Sequence, residues 1–250
     1  MSVLAHGTAS ATPLPSSWKL KFAPSFSGTK LNTKVWATCY PGASSKGCTN
    51  YGAGGAEQEW YQSSQATVSG GVLHLTARPV ATSGYNSLGK LKTYECRSGM
   101  VTTYPSFKFE YGFVQVRARL PYGKGLWPAF WLAAANNKWP PEVDILEHWG
   151  ANTISKLYLH PTSGIRQGAQ YNAPTANSGW HTWWLYWTKT RLTWYYDGRQ
   201  VYTTTKGVPH QAMYFIANLA DTTNSAAVTN VKGTACSGTL LIQSVKIWVP

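Results

Sequence analysis

Apolar and polar residues alternate along most of this chain with a period of two. Phe113-Val114-Gln115-Val116-Arg117-Ala118-Arg119-Leu120 is the clearest case and predicts a strand within 108–120. Gly71-Val72-Leu73-His74-Leu75-Thr76-Ala77 follows a Gly-Gly turn and reads the same way. Similar patterns place strands at 18–26, 98–103, 155–160, 180–187, 191–196, 199–205, 212–220 and 240–249. Asp197-Gly198 between two of them is a two-residue hairpin turn. The Gly/Asn/Gln-rich stretch up to Gly179 reads as a loop. No window of useful length carries a helical period, and internal repeats are absent. About a dozen short strands with Gly, Pro and Asn turns predict an all-β fold, a two-sheet β-sandwich of jelly-roll type. Its 250 residues suit one domain with one core. That domain is expected over 18–250, behind a flexible Ala/Ser/Thr/Pro-rich segment at 1–17.

One strand breaks the pattern. In Pro141-Glu142-Val143-Asp144-Ile145-Leu146-Glu147-His148, Glu142 and Asp144 share a face while Val143 and Ile145 take the other. Glu147 has the wrong parity to join the first two acids. It does so if the strand absorbs one extra residue as a β-bulge near Ile145 and Leu146. Two carboxyl groups side by side with a third between them suit hydrolysis of a glycosidic bond with retention: one attacks the anomeric carbon and one protonates the leaving oxygen. A salt-bridged edge strand is the plainer alternative, but no Lys or Arg lies in the run to pair with three acids.

Composition narrows the setting. Aromatics (14%) outnumber charged residues (12%), which is unusual for a cytosolic protein. The formal charge of +13 invites a nucleic-acid reading. Yet the Lys and Arg are scattered singly, and the excess arises from having only nine acids. No nucleic-acid partner and no membrane partner are expected, since no apolar run is long enough to span a bilayer. Cys39, Cys48, Cys96 and Cys236 allow three pairings and fit neither a zinc site nor a thioredoxin motif. Cys39 and Cys48 flank a Gly/Ser/Lys loop that they would close, leaving Cys96 with Cys236. Two disulfides imply a secreted protein. The start lacks the charged and apolar regions of a signal peptide and is read as a mature N-terminus behind an added methionine.

Gly125-Leu126-Trp127-Pro128-Ala129-Phe130-Trp131-Leu132, a short loop, then Trp139-Pro140-Pro141-Glu142-Val143-Asp144-Ile145-Leu146-Glu147 resembles glycoside hydrolase family 16 in its bulged, laminarinase-like form. The resemblance runs from about Trp18 to Val249 and implies a jelly-roll, with Glu142 as nucleophile, Glu147 as general acid/base and Asp144 between them. It implies an endo-acting retaining enzyme, expected as a monomer on β-1,3- or mixed β-1,3-1,4-glucan. A galactan such as agar or carrageenan as substrate, or a non-catalytic lectin, are the alternatives. Glycan clefts favour aromatic platforms, so Trp127, Trp131 and Trp139 are candidate sugar contacts; His160 resembles a family histidine near the acid/base. Laminarinase-like members usually carry Asn-Asn-Glu where this chain has Gly55-Ala56-Glu57, and Ser-Gly-Arg where it has Ser98-Gly99-Met100. Glu59 or Arg97 is expected to compensate. No cofactor and no catalytic metal are expected. The calcium site of many members is not expected either, because 22–28 and 242–246 carry no acid.

Overall fold

The computed structural model describes residues 14–41, 48, 57–85, 90–123, 125–149, 154–222 and 236–250. In chain order its first strands are β1 (Lys19–Phe22), β2 (Glu59–Tyr61), β3 (Ala66–Ser69), β4 (Val72–Ala77), β5 (Thr82–Tyr85), β6 (Leu91–Tyr94), β7 (Cys96–Ser98), β8 (Met100–Thr102) and β9 (Gly112–Arg119). Then come β10 (Leu126–Ala134), β11 (Glu142–His148), β12 (Ile154–His160), β13 (Gln167–Asn172) and β14 (His181–Trp187). The last are β15 (Leu192–Tyr196), β16 (Arg199–Thr204), β17 (Met213–Asp221) and β18 (Gly238–Val249). Among the described residues there is no α-helix, only a 3-10 turn at Ser63–Gln65.

The strands form two large antiparallel sheets. One runs β16-β15-β14-β9-β18-β4-β3, with β1 on the far part of β18. The other runs β13-β12-β11-β10-β17-β8. The expected two-sheet sandwich is therefore present, and a single large core fills it. Val114, Val116 and Ala118 of β9 and Leu185 of β14 point into that core from one sheet. Phe130, Leu132, Val143, Ile145 and Leu146 point in from the other. Rings lock the layers together: Phe130 meets Trp183 edge-on at 5.7 Å, a favoured geometry for aromatic pairs. Asp197 and Gly198 both have positive φ (47° and 79°). This is the type I′ geometry that Asp-Gly favours in a two-residue hairpin.

Two expectations need correction, and one further element carries no signal in the sequence. The polar stretch read as a loop contains β13, an edge strand with alternating exposure, paired to β12 along its length. An edge strand needs an apolar face on one side at most, so Gln-Gly-Ala-Gln-Tyr-Asn gave no signal. Gly168 in it leaves room for Tyr158: a Cβ there would sit 2.5 Å from that ring. The hairpin of β5 and β6 was also not foreseen. Finally, Cys96 and Cys236 are bonded, but Cys39 and Cys48 are free thiols. They meet as hydrogen-bond partners, and the Cys48 thiol points at the Met100 sulfur 3.7 Å away. The loop they were to close, 42–47, lies outside the described residues, as does 1–13 of the segment expected to be flexible. Within 14–17, the Pro15 carbonyl accepts the Trp18 N–H.

Candidate active site

The bulge places the three acids. In the pairing of β10 with β11, Phe130 faces Leu146 and Trp131 faces Asp144, so Ile145 has no partner. Ile145 and Leu146 both enter the core as consecutive residues. Side chains thus leave the core at Glu142, Asp144 and Glu147, all of which line one open cleft of about 420 Å³. Beside the bulge, the Asp144 carbonyl accepts a hydrogen bond from the indole of Trp194, reaching across from β15 at 2.9 Å. A buried carbonyl left without a partner is costly, so Trp194 in the facing sheet helps to pin the irregular strand.

The cleft lies on the outer face of the six-stranded sheet. Trp127 and Trp131 line it, four residues apart on β10 as the alternation required. His160 faces Glu142 across the β11–β12 ladder, with Nε2 3.5 Å from a Glu142 oxygen and 3.8 Å from an Asp144 oxygen. Trp139 stands at the rim, 56% exposed. Its ring centroid lies 5.6 Å from that of His160, and its indole N–H reaches toward Glu142.

Two expected contacts lie elsewhere. Glu59 is fully buried beneath the cleft. One of its oxygens accepts the Asp221 backbone N–H at 2.7 Å, and the Tyr61 hydroxyl interacts with the same carboxyl. From Tyr61 a chain of hydrogen bonds leads upward. Asn218 donates to the Tyr61 hydroxyl at 2.9 Å, and Trp131 donates to Asn218 at 2.8 Å. Glu59 therefore anchors the support of a cleft tryptophan rather than meeting sugar itself. Arg97 is spent on structure: its guanidinium holds the Ala81 carbonyl at 3.0 Å, away from the cleft.

The cleft also contains residues that the sequence reading did not select: Tyr40, Glu57, Trp149, Lys156, Tyr158, Arg166 and Asn218. Lys156 and Tyr158 were within reach, because they share the parity of His160 on β12. Glu57 precedes β2, so strand parity could not separate it from Glu59. Tyr40 and Arg166 come from connections and carry no periodic signal.

Burial raises the proton affinity of every acid in the trio. It pushes Glu142 up to about 7, opposed by the Trp139 N–H and assisted by Glu57. Glu147 is pushed up to about 8 by burial and then by Glu142, against the pull of Trp127, Lys156 and Arg166. Asp144, the deepest, lies well above the ordinary carboxylate range for the same first reason, with Glu142 and Glu147 adding to it. Three like charges this close cannot all ionise. Glu142, Asp144 and His160 also bring one ligand atom each within 4.8 Å of one another, the one such grouping among the described residues. A cation held there would occupy the Glu142 carboxylate.

Comparison with known proteins agrees with this geometry. An endo-1,3-1,4-β-glycanase, ExsH of Rhizobium meliloti, is 34% identical over 199 residues, 74% of this chain. A β-glucanase of Rhodothermus marinus is 31% identical over 61% of the chain. The chain spans 42% of the first relative's length and 56% of the second's. Among solved structures, the catalytic domain of an endo-1,3-β-glucanase (laminarinase) from Thermotoga petrophila superposes with a TM-score of 0.77 at 25% identity. That match covers 93% of this chain and 98% of the other. Residues 55–234 match the sequence profile of Glycosyl hydrolases family 16, more than two thirds of the chain, and the chain belongs to that family.

Proposed function

We propose that this chain is a secreted, endo-acting, retaining β-glycoside hydrolase that cleaves β-1,3- or mixed β-1,3-1,4-glucan by double displacement. The observation that carries this reading is the bulged β11, which turns Glu142, Asp144 and Glu147 onto one face inside an aromatic-lined cleft. Glu142 attacks the anomeric carbon while Glu147 delivers its proton to the leaving oxygen. Water then hydrolyses the glycosyl–enzyme, with Glu147 now acting as base. Asp144 sits between them with its proton affinity raised by burial, and in this reading it donates toward the Glu142 carboxylate. Trp131, fixed through Asn218 and Tyr61, offers a rigid apolar face to a sugar ring. An open cleft rather than a closed pocket suits attack within a chain. The Cys96–Cys236 bridge favours an oxidising compartment.

The test is release of reducing ends from laminarin, mixed-linkage glucan, agar and carrageenan, run beside viscometry. The expected result is cleavage of one or both glucans, with viscosity falling well before reducing ends accumulate. Cleavage confined to the galactans, or none at all, would overturn the substrate assignment.

The same carboxyls set a pH dependence. Glu142 must be ionised and Glu147 protonated, so kcat/KM should follow a bell that rises near pH 7 and falls near pH 8. Both limbs belong to the coupled pair rather than to single residues. Lys156 and Arg166 lower the proton affinity of Glu147. Replacing either with a neutral residue therefore raises it, and Glu147 stays protonated to higher pH. Lys156→Met is expected to move the alkaline limb upward, read from kcat/KM between pH 4 and 10. A limb that stays in place or moves down would contradict the assignment of Glu147 as the acid.

A further inference from the structure

Two cations line the cleft with no carboxylate in direct contact among the described residues. Among the described residues, no carboxylate oxygen comes within 4.0 Å of Lys156 or Arg166; the ion pairs at that distance all involve histidine. Each instead rests on an aromatic ring. Lys156 Nζ lies 4.3 Å from the centre of the Trp149 ring, and the Arg166 guanidinium carbon lies 4.7 Å from that of Tyr158. Trp149 is stacked on Trp127 at 5.5 Å, so one continuous aromatic surface carries a cation beside the acid/base.

A second hollow of about 390 Å³ opens along β13, and Tyr158 and Arg166 line it as well as the main cleft. A glycan leaving the cleft on this side passes over Arg166. Both line the open cleft, and Arg166 is solvent-exposed.

We propose that Lys156 and Arg166 form a subsite for an anionic substituent, a carboxylate or a sulfate ester, carried by the glycan that this cleft binds. The inference rests on the glycan-cleaving role proposed above and adds to it a preference for acid-substituted chains. The aromatic faces take the apolar side of the sugar, and the cations take its charged group through charge-assisted hydrogen bonds. Repulsion from the acid trio is limited, because burial disfavours its ionised forms.

The experiment measures binding separately from cleavage. A mixed-linkage β-glucan oligosaccharide, its lightly carboxymethylated form and its lightly sulfated form are titrated calorimetrically into Glu142→Gln protein, which does not consume them. The anionic forms are expected to bind about tenfold more tightly at low salt, with the gain shrinking to about twofold or less near 0.5 M NaCl. In the same background, Arg166→Gln with Lys156→Gln should abolish the anionic-to-neutral ratio, while Arg166→Lys should retain part of it. Melting curves establish that each variant is folded, and the salt series on the unsubstituted cations reads the subsite without them. A gain seen with only one substituent identifies that group as the ligand.

Equal affinity for neutral and anionic forms would overturn the proposal. So would a gain that survives the double substitution, since it would then reflect the overall positive charge. Neutral glucan cleaved by the wild-type protein with no anionic gain removes the subsite and leaves the glucanase reading intact. Anionic binding without cleavage of any glucan does the reverse.

Discussion

Glu142→Gln is expected to lower kcat on a cleavable β-glucan by at least ten-thousandfold, and Glu147→Gln by roughly a hundred- to ten-thousandfold. The asymmetry follows from their roles. Without Glu142 no covalent intermediate forms, and amide oxygen is a poor substitute for the nucleophile. Without Glu147 the leaving oxygen departs unprotonated, a loss that an activated aryl glycoside partly avoids. Exogenous azide separates the two positions by stereochemistry. In Glu147→Ala it should intercept the glycosyl–enzyme and yield the β-glycosyl azide. In Glu142→Ala it should take the place of the missing nucleophile and yield the α-glycosyl azide. Exchanged anomers would reverse the assignments, and wild-type turnover in either variant would remove that residue from the mechanism.

The second large effect concerns stability. Cys96 and Cys236 are 140 residues apart in sequence, and their bond ties the short β2–β7 pair to the head of β18. Loop-closure entropy gives such a bridge about 4–5 kcal/mol, most of it by restricting the unfolded chain. Cys96→Ala paired with Cys236→Ala should therefore lower Tm by about 10–20 °C, taking about 2–4 °C for each kcal/mol in a chain of this size. Scanning calorimetry under non-reducing conditions reads this directly. A change of one or two degrees would show that the unfolded chain is already constrained, or that the bridge is strained enough to cancel its entropic gain. No comparable contribution is expected from Cys39 and Cys48, which are separate thiols.

Much of this architecture was readable from period and parity. The misplaced parity of Glu147 predicted a bulge at Ile145 and Leu146, and both side chains turn into the core there. The spacing of Trp127 and Trp131 put both in the cleft. Parity failed where a residue stands outside a ladder or at its edge. Glu57 and Glu59 look equivalent in Glu-Gln-Glu, but pairing starts only at Glu59, whose side chain turns beneath the sheet's outer layer. The strand at Gln167–Asn172 escaped notice because it buries too little to need an apolar stripe. Nothing local could announce Asn218 as the link between a buried acid and a cleft indole, since its partners lie 87 and 157 residues away.

Burial of acids also changes how the molecule looks from a distance. Glu59, Glu142, Asp144, Glu147 and Asp221 all bind protons more tightly than ordinary carboxyls, and they are more than half of the nine acids in the chain. The formal +13 counts all nine as ionised. Each proton that these groups retain at neutral pH adds one unit to it. The field that reaches out to a polyanionic matrix is thus set partly inside the cleft. As the medium turns alkaline those protons leave, and the net positive charge falls over the same pH range in which the proposed acid loses its proton.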